Sequence, residues 1–218
     1  MAFILNIETA TKNCSVCLAC EGEAVIIKEY AGEGYTHAEK LHVFISDALR
    51  GGGITFNDLN AVAVSMGPGS YTGLRIGVSA AKGLCYALNI PLIAIDTLSL
   101  LSGQVSVQNG FIVPMIDARR MEVYSAIFDS GYAKVRETRA EVISESSFAD
   151  LSGPIHLLGD GADKCREVLT GEKFIYHDIP YPSAKGMAPL SYDKYKKSDT
   201  VDVAYFEPFY LKDFIAGK

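Results

Sequence analysis

The chain has 218 residues, a formal net charge of −6, 49 % hydrophobic and 21 % charged residues, the profile of a globular protein large enough for one big domain or two small ones. Its acidity repels nucleic acid, so any RNA contact requires a local basic patch or a basic partner. No run approaches the ~18 apolar residues of a membrane span, the opening MAFILNIET lacks the basic region of a signal peptide, and an odd count of five cysteines predicts reduced thiols in the cytoplasm.

In chain order the first half reads as strand 3–8, strand 14–20, strand 24–30, helix 37–50, strand 61–65, helix 71–88, strand 92–95 and helix 97–106. Cys14, Cys17 and Cys20 share the second strand, where side chains alternate faces, so the string cannot converge on a metal and reads as small buried hydrophobes. Thr36 and Glu39 predict a capping box ahead of the first helix, which Gly51-Gly52-Gly53 ends. His37 and His42 lie about 140° apart on it and cannot share a metal as an i,i+4 pair does.

The second half reads as strand 111–116, strand 122–128, strand 134–141, a short helix near 146–151, strand 155–158, helix 162–169, strand 174–177, helix 184–196 and a tail. Both halves thus run three strands, then helix, strand, helix, strand, helix. That order predicts an α/β fold of two similar subdomains, each a mixed sheet flanked by helices, with 1–107 as the first and 108–218 as the second.

The helix 71–88 carries glycines where helices avoid them, each costing roughly 1 kcal/mol relative to alanine. Gly73, Gly77 and Ala81 recur every four residues, and the apolar arc spans roughly 220°, against about 100° for a helix resting on one core. Two readings fit: a helix buried within one domain, or one sandwiched between its own sheet and a second protein.

Signals for chemistry are weaker. Glu8-Thr9-Ala10-Thr11 in the first hairpin and Gly67-Pro68-Gly69-Ser70 at a helix start could face phosphates or a hydrated Mg²⁺, or be a plain turn and cap. The latter lacks the G-K-[ST] of a P-loop. Gly159-Asp160-Gly161 precedes the expected helix 162–169 in a comparable way. Asp117-Ala118-Arg119-Arg120 forms a hairpin tip whose arginines suit a phosphate, a partner carboxylate or plain solvation. His156 and His177 have no nucleophile signature beside them.

Three stretches together resemble one family. Gly67-Pro68-Gly69-Ser70-Tyr71-Thr72-Gly73-Leu74-Arg75-Ile76-Gly77, Asp117-Ala118-Arg119-Arg120-x-Glu122-Val123-Tyr124 and Pro208-Phe209-Tyr210-Leu211-Lys212 are similar to TsaB (YeaZ), the small subunit of the bacterial machinery that makes threonylcarbamoyladenosine in tRNA. The resemblance covers essentially the whole chain and implies the duplicated ribonuclease H-like, actin-like ATPase fold. It implies a non-catalytic scaffold that pairs with the catalytic relative TsaD, works with TsaE, forms a homodimer when alone and meets tRNA only through the complex. Leu41, Phe44, Ile45, Ala48, Gly73, Gly77, Ala80, Ala81 and Leu84 are the expected contacts, with 1–107 as the dimerisation subdomain. Asp117, Arg119, Arg120, Glu122 and Tyr124 form the family's signature loop.

Departures from the family are informative. TsaD carries a metal-binding His-x-x-x-His pair where this chain has Thr97 and Leu101, and neither replaces imidazole, so no metal is expected. Relatives read Asp-Thr-Ser-Thr in the first hairpin, against Glu8-Thr9-Ala10-Thr11 here. The expected nucleotide site, Glu8, Thr9, Thr11, Gly67, Gly69 and Ser70, is therefore weak or vestigial, with ATP and Mg used by the partners and none required by this chain. The rival readings are an independent ATP-dependent phosphotransferase, revealed by tight ATP binding and turnover of the isolated chain, and a metallopeptidase, revealed by bound metal.

Overall fold

A computed structural model of the chain describes residues 1–32 and 36–212. Strands β1 (Phe3–Glu8), β2 (Cys14–Cys20) and β3 (Glu23–Tyr30) form an antiparallel meander. Helix α1 (His37–Gly51) leads to β4 (Leu59–Gly67) and helix α2 (Tyr71–Leu88) to β5 (Leu92–Asp96), which add in parallel to give the order β3-β2-β1-β4-β5. Alternation along the strands sorts the faces. Leu5, Ile7, Val16 and Leu18 point to one side and bury Leu41 and Ile45 of α1 with Val78 and Ala81 of α2. Cys17 points to the other side, as its register predicts.

Helix α3 (Thr97–Ser102) opens a second unit built from β6 (Phe111–Asp117), β7 (Glu122–Asp129), β8 (Lys134–Val142), β9 (Ile155–Leu158) and β10 (Phe174–Tyr176). Its order, β10-β9-β6-β7-β8, repeats the first: a three-stranded meander with two parallel strands beside its opening strand. The duplicated mixed-sheet fold expected from element order is the one observed.

Four expectations are corrected. The boundary falls at Thr97/Leu98 and not at 107, and Ser183–Phe209 belongs to the first unit. Leu98, Leu101 and Val105 pack with Ile112 and Phe128 of the second sheet. The last helix, α4 (Ala184–Lys196), lays Ala184 and Ala188 on Cys17 and Ala19 of the first, and the Ala184 N–H donates to Ser15 Oγ at 3.0 Å. The helices expected near 146–151 and over 162–169 are turns and a 3-10 segment at Asp163–Cys165, the first broken by Phe148 at φ +62°. α3 stops at Ser102, short of 106, ahead of Gly103. The capping box fails as well: Thr36 has ψ 10°, its side chain makes no cap bond, and its carbonyl receives the Glu39 and Lys40 N–H groups. At the other end Gly52 caps α1 and Gly53 takes φ +66°, as the glycine run implies.

Candidate functional site

In the first unit the turn after β1 docks on the start of α2. Glu8, Thr9 and Ala10 are fully buried. The Glu8 carboxylate accepts the Ala10 N–H at 2.6 Å and the Ser65 hydroxyl from β4. Burial pushes this carboxyl up to about 7, and the two hydrogen bonds offset only part of the rise. Thr9 Oγ1 donates to Gly73 O at 2.8 Å, and the Ser70 N–H donates to Ala10 O at 2.7 Å. Ser70 Oγ caps α2 by accepting the Gly73 N–H. His37, fully buried at the start of α1, meets Thr11 O through Nε2 at 2.8 Å.

This packing explains the glycines. A Cβ at Gly69 would lie under 3.0 Å from Ala10 O, one at Gly73 under 3.0 Å from Thr9 O, and one at Gly77 under 3.0 Å from Thr9 Oγ1. The small residues admit the chain's own hairpin, where the expectation had a partner's backbone. The structure does bring Glu8, Thr9, Thr11, Gly67, Gly69 and Ser70 together. They do not fit a magnesium nucleotide as they stand, because the Glu8 carboxylate, the Thr9 hydroxyl and the Ser70 N–H already serve Ala10, Ser65 and Gly73 within the fold. Gly67 faces the chain's own later segment, with Phe209 O under 3.0 Å from its would-be Cβ.

The expected contacts separate into two sets. Leu41, Ile45, Ala48, Gly73, Gly77 and Ala81 are buried against their own sheet and hairpin and offer nothing to a partner, a correction to the whole-arc reading. Phe44, Ala80 and Leu84 remain partly exposed. Ala80 and Leu84, with Ala38, Ile76, Ser79 and Gly83, line a groove of about 620 Å³ between α1 and α2. Ala38, Ala80 and Gly83 are its small residues, His42 and Arg75 complete its lining, and a Cβ at Gly83 would have nothing within 4 Å. Gly83 is the one glycine of α2 whose missing side chain opens space to solvent.

In the second unit the β6–β7 hairpin carries the signature loop. Lys164 pairs with Asp117 and donates to Arg120 O at 2.7 Å and Glu122 O at 2.6 Å. Asp160 accepts the Asp117 N–H at 2.9 Å, and a Cβ at Gly161 would sit 2.9 Å from the Ile116 carbonyl carbon. Gly159-Asp160-Gly161 therefore cradles this hairpin and heads no helix of useful length. Lys212 pairs with Glu122, and burial holds the nearby Tyr124 hydroxyl above its ordinary range. Lys164 does not stand out in sequence, because its targets, the Asp117 carboxylate and two backbone carbonyls, lie more than 40 residues away. His156 and His177 hydrogen-bond one another at 2.9 Å. Thr97 and Leu101 are buried, and among the described residues no three His, Cys, Asp or Glu side chains group as metal ligands.

Residues 33–213 match the family described as TsaD, tRNA N6-adenosine threonylcarbamoyltransferase. The chain is 31 % identical to the tRNA threonylcarbamoyladenosine biosynthesis protein TsaB of Escherichia coli K12 over 99 % of its length and 96 % of that protein's. It is 29 % identical to the TsaB of Haemophilus influenzae over 99 % and 95 %. The solved structure of YeaZ from Pseudomonas aeruginosa superposes with a TM-score of 0.85 at 24 % identity, covering 97 % of this chain and all of the other, a likeness of fold. No helix among the described residues is long and apolar enough to cross a membrane.

Proposed function

As the chain belongs to the TsaD family, within its TsaB group of tRNA threonylcarbamoyladenosine biosynthesis proteins, we propose that it serves that modification as the non-catalytic subunit pairing with the TsaD-type transferase. The observation that carries this reading is the division of labour within α2. Its glycine-rich side is filled by the chain's own hairpin, while Ala80, Gly83 and Leu84 present an open apolar groove beside α1. Small residues along a helix surface let a partner helix approach to about 8–10 Å between axes. The occupied Glu8 hairpin and the Thr97 and Leu101 positions support a chain that performs no nucleotide or metal chemistry itself. In this reading ATP and Mg²⁺ belong to TsaD and TsaE, the complex acts in the cytoplasm, and the same groove joins two copies when TsaD is absent.

The test mixes the chain with its own TsaD-type partner and measures complex mass and affinity. Gly83→Arg fills the groove without touching the fold, so the melting temperature should hold while affinity falls about tenfold or more, that is 1.4 kcal/mol per decade. Absence of any complex with the wild-type chain, or undiminished affinity of the variant, refutes the assignment. Turnover of tRNA or ATP by the isolated chain, abolished by Glu8→Ala, refutes the non-catalytic role.

A further inference from the structure

We propose that the Arg119–Arg120 tip of the β6–β7 hairpin is a phosphate-contact site for the RNA backbone, a refinement that rests on the tRNA-modifying role above. The two residues sit at φ +71° and +53°, the left-handed region that strains any residue with a Cβ and that glycine or asparagine occupies at little cost. Strain of this kind persists where surrounding structure enforces it, and it gathers at functional sites. Here the enforcement is visible. The Ala118 N–H donates to Glu122 O at 3.0 Å and the Arg119 N–H to Asp117 Oδ1 at 2.9 Å, while Lys164 ties down the carbonyls of Arg120 and Glu122.

The guanidiniums take no part in that framework. Both arginines are exposed, and among the described residues neither guanidinium forms a hydrogen bond or an ion pair. Two carboxylates of the hairpin have other cations, Asp117 with Lys164 and Glu122 with Lys212, and Asp160 accepts the Asp117 N–H. A chain with 26 acidic and 20 basic residues thus leaves two adjacent, uncompensated forks on a rigid turn. A guanidinium fork matches phosphate oxygens bidentately, and two forks in sequence match the repeated anions of a polynucleotide. The acidic remainder confines the contact to this tip, which holds backbone and reads no bases.

The test uses the assembled complex of the chain with its TsaD-type partner and labelled tRNA, followed by anisotropy between about 50 and 200 mM salt. The variant Arg119→Asn/Arg120→Gly removes both charges and suits the left-handed backbone. Complex mass should be unchanged, and the melting temperature should rise by about 2–4 °C for each strained residue relieved. The slope of log affinity against log salt should shrink by about 1.4–1.8, the share of two phosphates. Arg119→Lys/Arg120→Lys, which keeps the charge, should retain the slope. An unchanged slope in the first variant overturns the inference while leaving the subunit role intact. Loss of assembly with an unchanged slope also overturns it, and assigns the tip to a protein carboxylate. If the wild-type complex fails to form, the subunit role and this inference fall together.

Discussion

Alanine at position 77 asks one methyl group to enter the space between α2 and the first hairpin. The new Cβ would lie under 3.0 Å from Thr9 Oγ1, 3.4 Å from Thr9 Cβ and 3.5 Å from its Cγ2, and Thr9 is fully buried. Relief comes in one of two ways. Rotating the hydroxyl away breaks its bond to Gly73 O and strands a buried polar group, at about 1–3 kcal/mol. Moving the helix overpacks the core, at a similar 1–3 kcal/mol. Alanine's better helix propensity returns about 1 kcal/mol. The net expectation is a loss of about 0–2 kcal/mol, measured by urea denaturation of the isolated chain. Thr9→Ala deletes the offending oxygen and leaves the added Cβ at an ordinary 3.4 Å from its neighbour. In that background Gly77→Ala should be neutral or stabilising by up to about 1 kcal/mol, so the double-mutant cycle should show a coupling of about 1–3 kcal/mol. Additive costs, or an unaffected monomer whose association alone weakens, would refute the assignment of Gly77 to the chain's own hairpin. Gly83→Ala is the matched control: with nothing within 4 Å of the new Cβ, it should stabilise by about 0.5–1 kcal/mol.

Two further predictions concern charge. Burial raises the Glu8 carboxyl from 4.5 to about 7, so the folded chain holds a proton there that the unfolded chain has released. Stability from this group is full below pH 4.5 and declines by roughly 3 kcal/mol as pH rises to 7, at 1.36 kcal/mol per unit. Glu8→Gln should lose that decline, and denaturation curves of variant and wild type that stay parallel from pH 5 to 8 would refute it. Lys82 Nζ donates to Ala204 O at 3.1 Å and Phe206 O at 2.9 Å, tying α2 to the segment that displays Tyr205. Lys82→Met should speed chymotryptic cleavage at Tyr205 several-fold with a global cost of about 1–2 kcal/mol; an unchanged cleavage rate would show that the segment is held by its apolar contacts alone.

What the sequence by itself determined was most of what local periodicity carries, the short helices near 146–151 and over 162–169 excepted. Among the described residues the ten strands, the helices α1, α2 and α4, and the doubling of one topology follow from alternation and helical spacing over short windows. So does the opposed facing of Cys14 and Cys17. The family motifs likewise picked out the Asp117–Tyr124 hairpin and the start of α2 as the places of interest. Only the tertiary structure decided which surface meets which. The Gly73 and Gly77 spacing announced a close approach without saying by whom, because Thr9 lies more than 60 residues away and a missing side chain carries no address. The wide apolar arc of α2 was real, yet hairpin and sheet together cover Gly73, Leu74, Gly77, Val78, Ala81 and Cys85, leaving Ile76, Ala80, Gly83 and Leu84 toward the groove. Lys164 clamps carbonyls, and backbone acceptors are the same at every position of a sequence. α4 returns to the first unit because Ala184 and Ala188 are small enough to lie on Cys17 and Ala19, a complementarity between two faces that neither segment expresses alone.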